Sequence, residues 1–128
     1  LASTLLEQDY FMFRDKVLSC LEQSMFSNVN PLPVVPELLK FDISLVLRIL
    51  FLITIDCIKL SMQHDITGLS NQDQYAVVLK IASAVSSPLW FDFYSQLLEV
   101  QATLDTGIAV NKQLLVESLM LRWLDLCR

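Results

Sequence analysis

Residues Ile43 to Leu60 read ISLVLRILFLITIDCIKL, and the reading of this stretch decides the fold. Thirteen of its eighteen residues are apolar. On a helix, at about 100° per residue, Ser44, Arg48, Asp56 and Lys59 gather in a sector roughly 120° wide, and most of the remaining surface is apolar. The spacing lets Asp56 pair with Lys59 three residues on, with Arg48 two turns before Asp56. A membrane span is the competing reading. The length barely suffices for it, and Arg48, Asp56 and Lys59 would each cost about 2.5–3.5 kcal/mol near a bilayer centre. The stretch is therefore read as the central helix of a bundle in water, buried on about three sides, with the other helices laid around it.

Upstream of this helix, Asp42 stands at a capping position. Before it comes SNVNPLPVVPELLK, where Pro31, Pro33 and Pro36 forbid a continuous helix. Asn30-Pro31 favours a turn, and Pro36 suits the first position of a short helical turn through Leu39. Val34, Val35, Leu38 and Leu39 interleave with the prolines, so the segment reads as a packed connector rather than a proline-rich ligand. Further upstream, Tyr10, Phe13, Val17, Leu21 and Met25 recur at three- and four-residue steps, which predicts a helix from about Tyr10 to Met25 capped by Asp9. Arg14, Asp15, Ser19, Glu22 and Gln23 take its wet side, and Phe11 and Met12 lie off the stripe. Leu1 to Leu6 reads as a short helical lead-in. Because the chain opens without Met and in mid-pattern, it is read as a C-terminal fragment of a longer protein.

Downstream, the central helix is expected to run to Met62 or Gln63 and give way to the loop QHDITGLSNQD, where Gly68 supplies a turn. Tyr75, Val78, Leu79, Ile81, Ala82 and Val85 predict a helix from about Gln72 to Val85. Ser87, with Pro88 behind it, caps the next helix. There Asp92, Ser95, Gln96, Glu99 and Thr103 form a polar stripe, and Trp90, Phe93, Tyr94, Leu97, Val100 and Leu104 face inward. Asp105-Thr106-Gly107 closes it. Asn111 caps a last helix from Lys112 to Cys127, whose apolar face is broader than one contact needs. The expected fold class is all-α: a single compact bundle of about five to six helices over residues 1–128.

Composition narrows the function. The chain is 54% apolar with a net charge of −5 and only 18% charged residues. Its Lys and Arg are scattered singly, which argues against gripping nucleic acid by its phosphates. Cys20, Cys57 and Cys127 are odd in number and widely spaced, so they read as reduced thiols rather than a disulfide or metal framework. His64 is the single histidine, and no Cys or carboxylate cluster is spaced to join it as a metal ligand or acid–base partner. Gly-rich phosphate loops, HExxH and GxSxG are absent from the sequence. No cofactor, metal or catalytic residue is therefore expected, and the aromatic row of Trp90, Phe93 and Tyr94 reads as core rather than as a base-stacking platform.

The segment DTGIAVNKQLLVESLMLRWLDL, Asp105 to Leu126, resembles the end of the delta-prime subunit family of bacterial DNA polymerase III. The resemblance rests on the Thr106-Gly107-Ile108 turn, the Asn111 cap, and the Leu-rich helix of Leu114, Leu115, Leu119, Met120, Leu121 and Arg122. The order of helices along the whole chain is compatible with it. The resemblance implies a helical collar domain of a clamp loader, a cytoplasmic module that holds a pentameric loader together and is not itself catalytic. The partners implied are the delta and gamma/tau collar domains, without nucleic acid or membrane contact. Neither the arginine finger nor the zinc module of that family has a counterpart here. Surplus apolar surface on the last two helices makes Phe91, Leu119, Arg122 and Trp123 the candidate interface residues. A helical ligand-binding or regulatory domain, with a pocket between aromatic-rich helices, is the alternative, and an enzyme built on the bundle is the third reading.

Overall fold

A computed structural model describes residues 2–63 and 67–126, with side chains from Gln8 onward except that of Gln63. In chain order the α-helices are α1 (Ala2–Phe26), α2 (Val35–Leu38), α3 (Ile43–Gln63), α4 (Tyr75–Ser83), α5 (Ser87–Asp105) and α6 (Lys112–Asp125). Single 3-10 turns at Leu32–Val34 and Gln72–Gln74 lead into α2 and α4. No strand occurs among the described residues.

The stretch that decides the fold is the central helix. α3 packs chiefly on α5 and α4, and α1 also lies against it. Ile43, Val46, Leu47, Ile49, Leu50, Ile53, Cys57 and Leu60 are buried along it. Fully burying one such aliphatic side chain is worth about 1.5–3 kcal/mol, so this helix dominates the core. Asp42 starts it as expected, its carboxylate accepting from the Ser44 amide at 3.0 Å. Thr54 returns its hydroxyl to the Leu50 carbonyl at 2.7 Å, so its burial leaves no orphan polar atom.

The polar seam of α3 divides in two. Ser44, Arg48 and Lys59 are exposed, whereas Asp56 is fully buried. Asp56 does not pair with Lys59. Its two oxygens accept from the Ser70 amide at 2.9 Å, the Asn71 amide at 2.8 Å and the Asn71 side chain at 2.7 Å. Lys59 instead donates to the Gly68 carbonyl at 2.7 Å. These four bonds hold residues 68–71 back along the helix they follow.

Arg14 joins this arrangement from α1. The sequence pattern sets it on the wet side, yet the structure buries it, because the turn before α4 covers that face. Its guanidinium donates to Asn71 Oδ1 at 3.0 Å, to both carboxylate oxygens of Asp73, and to Asp15 at 2.8 Å. Its carbon lies 4.9 Å from the centre of the Phe11 ring, a cation–π distance. Burial works against the charge, but the hydrogen bonds Arg14 donates to Asp73 and Asp15, with the charges of both, outweigh it and raise the Arg14 pKa. The same hydrogen bond holds the Asp73 carboxyl below its ordinary range.

Helix ends follow their local chemistry. α1 runs unbroken through Asp9, since no Gly or Pro lies within Ala2–Phe26 to interrupt it. It ends at Asn28, whose φ of 55° takes the left-handed position that often closes a helix, with the Val29 amide reaching back to the Gln23 carbonyl at 3.3 Å. The connector is packed, with Val35 and Leu38 fully buried and α2 resting on α6. At α5 the capping position belongs to Ser86, extended at ψ 151°, rather than to Ser87, which is already helical. Gly107, at φ +74°, ends α5, and Asn111 caps α6 by accepting from the Leu114 amide at 3.1 Å. His64, Asp65 and Cys127 lie outside the described residues.

The Arg14–Asp73 contact gives stability a pH dependence. Asp73 is depressed in the folded state, so its contribution is complete above its unfolded pKa, near 3.8, and is lost as pH falls through the folded value. Urea midpoints measured from neutral pH to below about pH 4 are expected to fall at the acid end, and to fall less steeply in Asp73→Asn. Equal acid slopes in the two proteins would show that this contact contributes nothing.

Candidate subunit-contact surface

On α6, Val116, Leu119, Met120 and Trp123 recur at three- and four-residue steps and all point into the core. Leu119 is 2% exposed and Trp123 0%. The Trp123 ring lies 5.6 Å from that of Trp90 and 5.5 Å from that of Phe93, edge-on to the latter. Its indole N–H donates to the Leu21 carbonyl of α1 at 3.2 Å. These two candidate interface residues therefore complete the chain's own core and offer nothing to a neighbour. The breadth of the apolar face of α6 hides two separate uses. Leu114 and Leu121, seven residues apart, are exposed on the opposite side.

The other two candidates are at the surface. Phe91 is 48% exposed on α5, and Arg122 is exposed on α6. Arg122, Asp125 and Leu126 face Leu89, Asp92, Phe93 and Gln96 across a surface pocket of about 190 Å³ between the two helices. Phe91 has a companion in Leu98, equally exposed and seven residues on. The seven-residue spacing is legible in the sequence, but Asp92, Ser95 and Glu99, beside and between the two, give that face a polar pattern.

A second apolar surface lies on α1 and the turn before α3. Asp9, Met12, Phe13 and Lys16 of α1 and Phe41 before α3 line a cleft of about 440 Å³. The Phe13 and Phe41 rings are 4.1 Å apart, with Phe13 buried and Phe41 exposed. Met12 and Phe11 are exposed as well. Their place off the main stripe of α1 was the signal for this surface.

Elsewhere the chemistry is quiet. Among the described residues no group of His, Cys, Asp and Glu could hold a metal ion. Burial raises the Cys20 thiol pKa, and burial together with the Asp56 charge raises that of Cys57 further. No single described helix is long and apolar enough to cross a membrane.

Comparison with known proteins places the chain by sequence. A family model described as DNA polymerase III, delta subunit, C terminal, matches residues 8–125. Neither the curated proteins nor the solved structures gave a match.

The two kinds of apolar residue are separable by mutation. Leu119→Ala is expected to destabilise the chain by about 2–5 kcal/mol, since it opens a cavity in the core. Phe91→Ser and Leu98→Ser are expected to stay within about 0.5 kcal/mol of the unmodified chain. Urea denaturation followed by circular dichroism checks both. A large loss at Leu98 would place it in the core and not on a contact surface.

Proposed function

This chain belongs to the family of the C-terminal domain of the DNA polymerase III delta subunit, and from that premise we propose that it is a collar module, the part of a clamp-loader subunit that joins the loader together. Family membership carries a role in replication. The finer reading adds that the domain works by assembly and leaves catalysis to other parts of the loader. Its partners are the collar domains of the other loader subunits, and its setting is the bacterial cytoplasm.

One observation carries this reading. After the core is complete, bulky apolar side chains remain exposed on helices well apart in the chain: Phe11 and Met12 on α1, Phe91 and Leu98 on α5, Leu114 and Leu121 on α6. A subunit held between two neighbours in a ring uses two different faces, because head-to-tail contacts join unlike surfaces. A standard interface buries about 800 Å² on each partner, an area that several such side chains can anchor. The assignment to delta-prime, a related loader subunit, is supported by the left-handed Gly107 and the Asn111 cap, which give the Thr106-Gly107-Ile108 segment the turn its resemblance implies.

The ligand-binding alternative would need room among the aromatic residues between helices. Trp90, Phe93 and Trp123, all buried, fill the interior there and leave the surface pocket of about 190 Å³ between α5 and α6.

Size-exclusion chromatography with light scattering tests the proposal. The chain is run alone and then with collar fragments of the delta, delta-prime and gamma/tau subunits. A stable heteromer is expected with at least one of them and with no unrelated helical domain. A chain that stays monomeric against all of them, and against the full-length subunits, overturns the collar reading.

A further inference from the structure

We propose that the outward face of α5 is a docking seam for a helix with basic edges, supplied by another subunit of the assembly. This deepens the collar reading and rests on it for the identity of the assembly. The seam consists of Phe91, Ser95, Leu98 and Ala102, all exposed. Their spacings of four, three and four are those by which one helix lies along another in knobs-into-holes packing. Large and small residues alternate, so Ser95 and Ala102 leave holes for a partner's side chains and let two helix axes approach to about 8–10 Å. The core of this chain has no use for the seam, since α5 buries Trp90, Phe93 and Leu97 on its other side.

Charge selects the partner. Asp92 and Glu99 each directly follow a large seam residue, and seven residues separate them. Both are exposed, and neither is in an ion pair among the described residues. The other edge carries Tyr94 and Gln101, which are uncharged. From residue 81 to residue 111 the chain has Asp92, Glu99 and Asp105 and no Lys or Arg at all. Arg122 stands beyond Asp92, across the pocket between α5 and α6, on the side away from the seam.

A helix with an apolar stripe flanked by Lys or Arg satisfies both the seam and its edge. A helix with acidic edges is repelled, and a phosphate backbone is repelled more strongly. A second copy of this chain fits poorly. Antiparallel pairing sets Asp92 against Glu99 across the seam, and parallel pairing offers those carboxylates only Tyr94 and Gln101. The seam is therefore built for a different chain.

The test uses the full 128-residue chain, isotope-labelled, and two synthetic helical peptides about three heptads long. The peptides share one leucine stripe and differ only in carrying lysine or glutamate beside it. The lysine peptide is expected to perturb the amide signals of residues 91–102 and to bind about tenfold more tightly than the glutamate peptide. That advantage is expected to vanish in Asp92→Asn/Glu99→Gln. Equal affinity, no binding of either peptide, or perturbation centred elsewhere overturns the proposal. Asp92→Lys/Glu99→Lys, run in the chromatography above, separates it from the collar reading. If the unmodified chain joins a loader subunit and this variant joins it equally well, the seam is wrong and the collar reading stands. If the unmodified chain joins none while the lysine peptide still binds at α5, the collar reading is wrong and the seam stands.

Discussion

A carboxylate within the long, apolar central helix is the constraint on which the rest of the arrangement depends. Asp56 is fully buried, and an ionised group without partners there is strongly unfavourable. The chain meets the demand with backbone. It turns after α3, runs back, and presents the amides of Ser70 and Asn71 to the two carboxylate oxygens. This places Asn71 where its side chain bridges Asp56 to Arg14, and the turn at Gln72–Gln74 then brings Asp73 onto the same guanidinium. One buried charge thus fixes the return of the loop, the start of α4 and the rotation of α1.

The same network marks the limit of sequence reading. Helices were legible wherever the apolar period was long and its ends were capped, as at Asp42 for α3 and Asn111 for α6. Proline placed the connector correctly, because its effect on the backbone is local. The fate of Asp56, Arg14 and Lys59 is not legible, since each is settled by residues off its own helix: nine positions on for Lys59, 14 and 15 for Asp56, 57 and 59 for Arg14. Helical spacing made Lys59 a reasonable partner for Asp56. Two backbone amides and the Asn71 side chain outcompete one flexible ammonium, because the amides arrive already oriented by the backbone. Arg14 looked solvated for the same reason: nothing on α1 announces that another segment will cover it.

The exposed apolar faces show a related division. Periodicity says that α6 is apolar on too many sides, but not which side the core will take. Trp123 and Leu119 face inward, and the Trp123 ring meets Trp90 and Phe93 there. What stays outside are pairs at seven-residue spacing, Leu114 and Leu121 on α6, Phe91 and Leu98 on α5. Buried and exposed apolar residues follow the same pattern here, and only packing tells them apart.

The pairing of Trp90 with Trp123 has an optical consequence. Both indoles are fully buried, 5.6 Å apart, and tied by hydrogen bonds to the Ala82 and Leu21 carbonyls. All of the chain's tryptophan emission therefore arises inside one protomer, away from every surface a neighbour could cover. Fluorescence reports whether this domain is folded and is blind to what it touches. A spectral shift on mixing with another subunit would signal a core that rearranges, not a contact that forms.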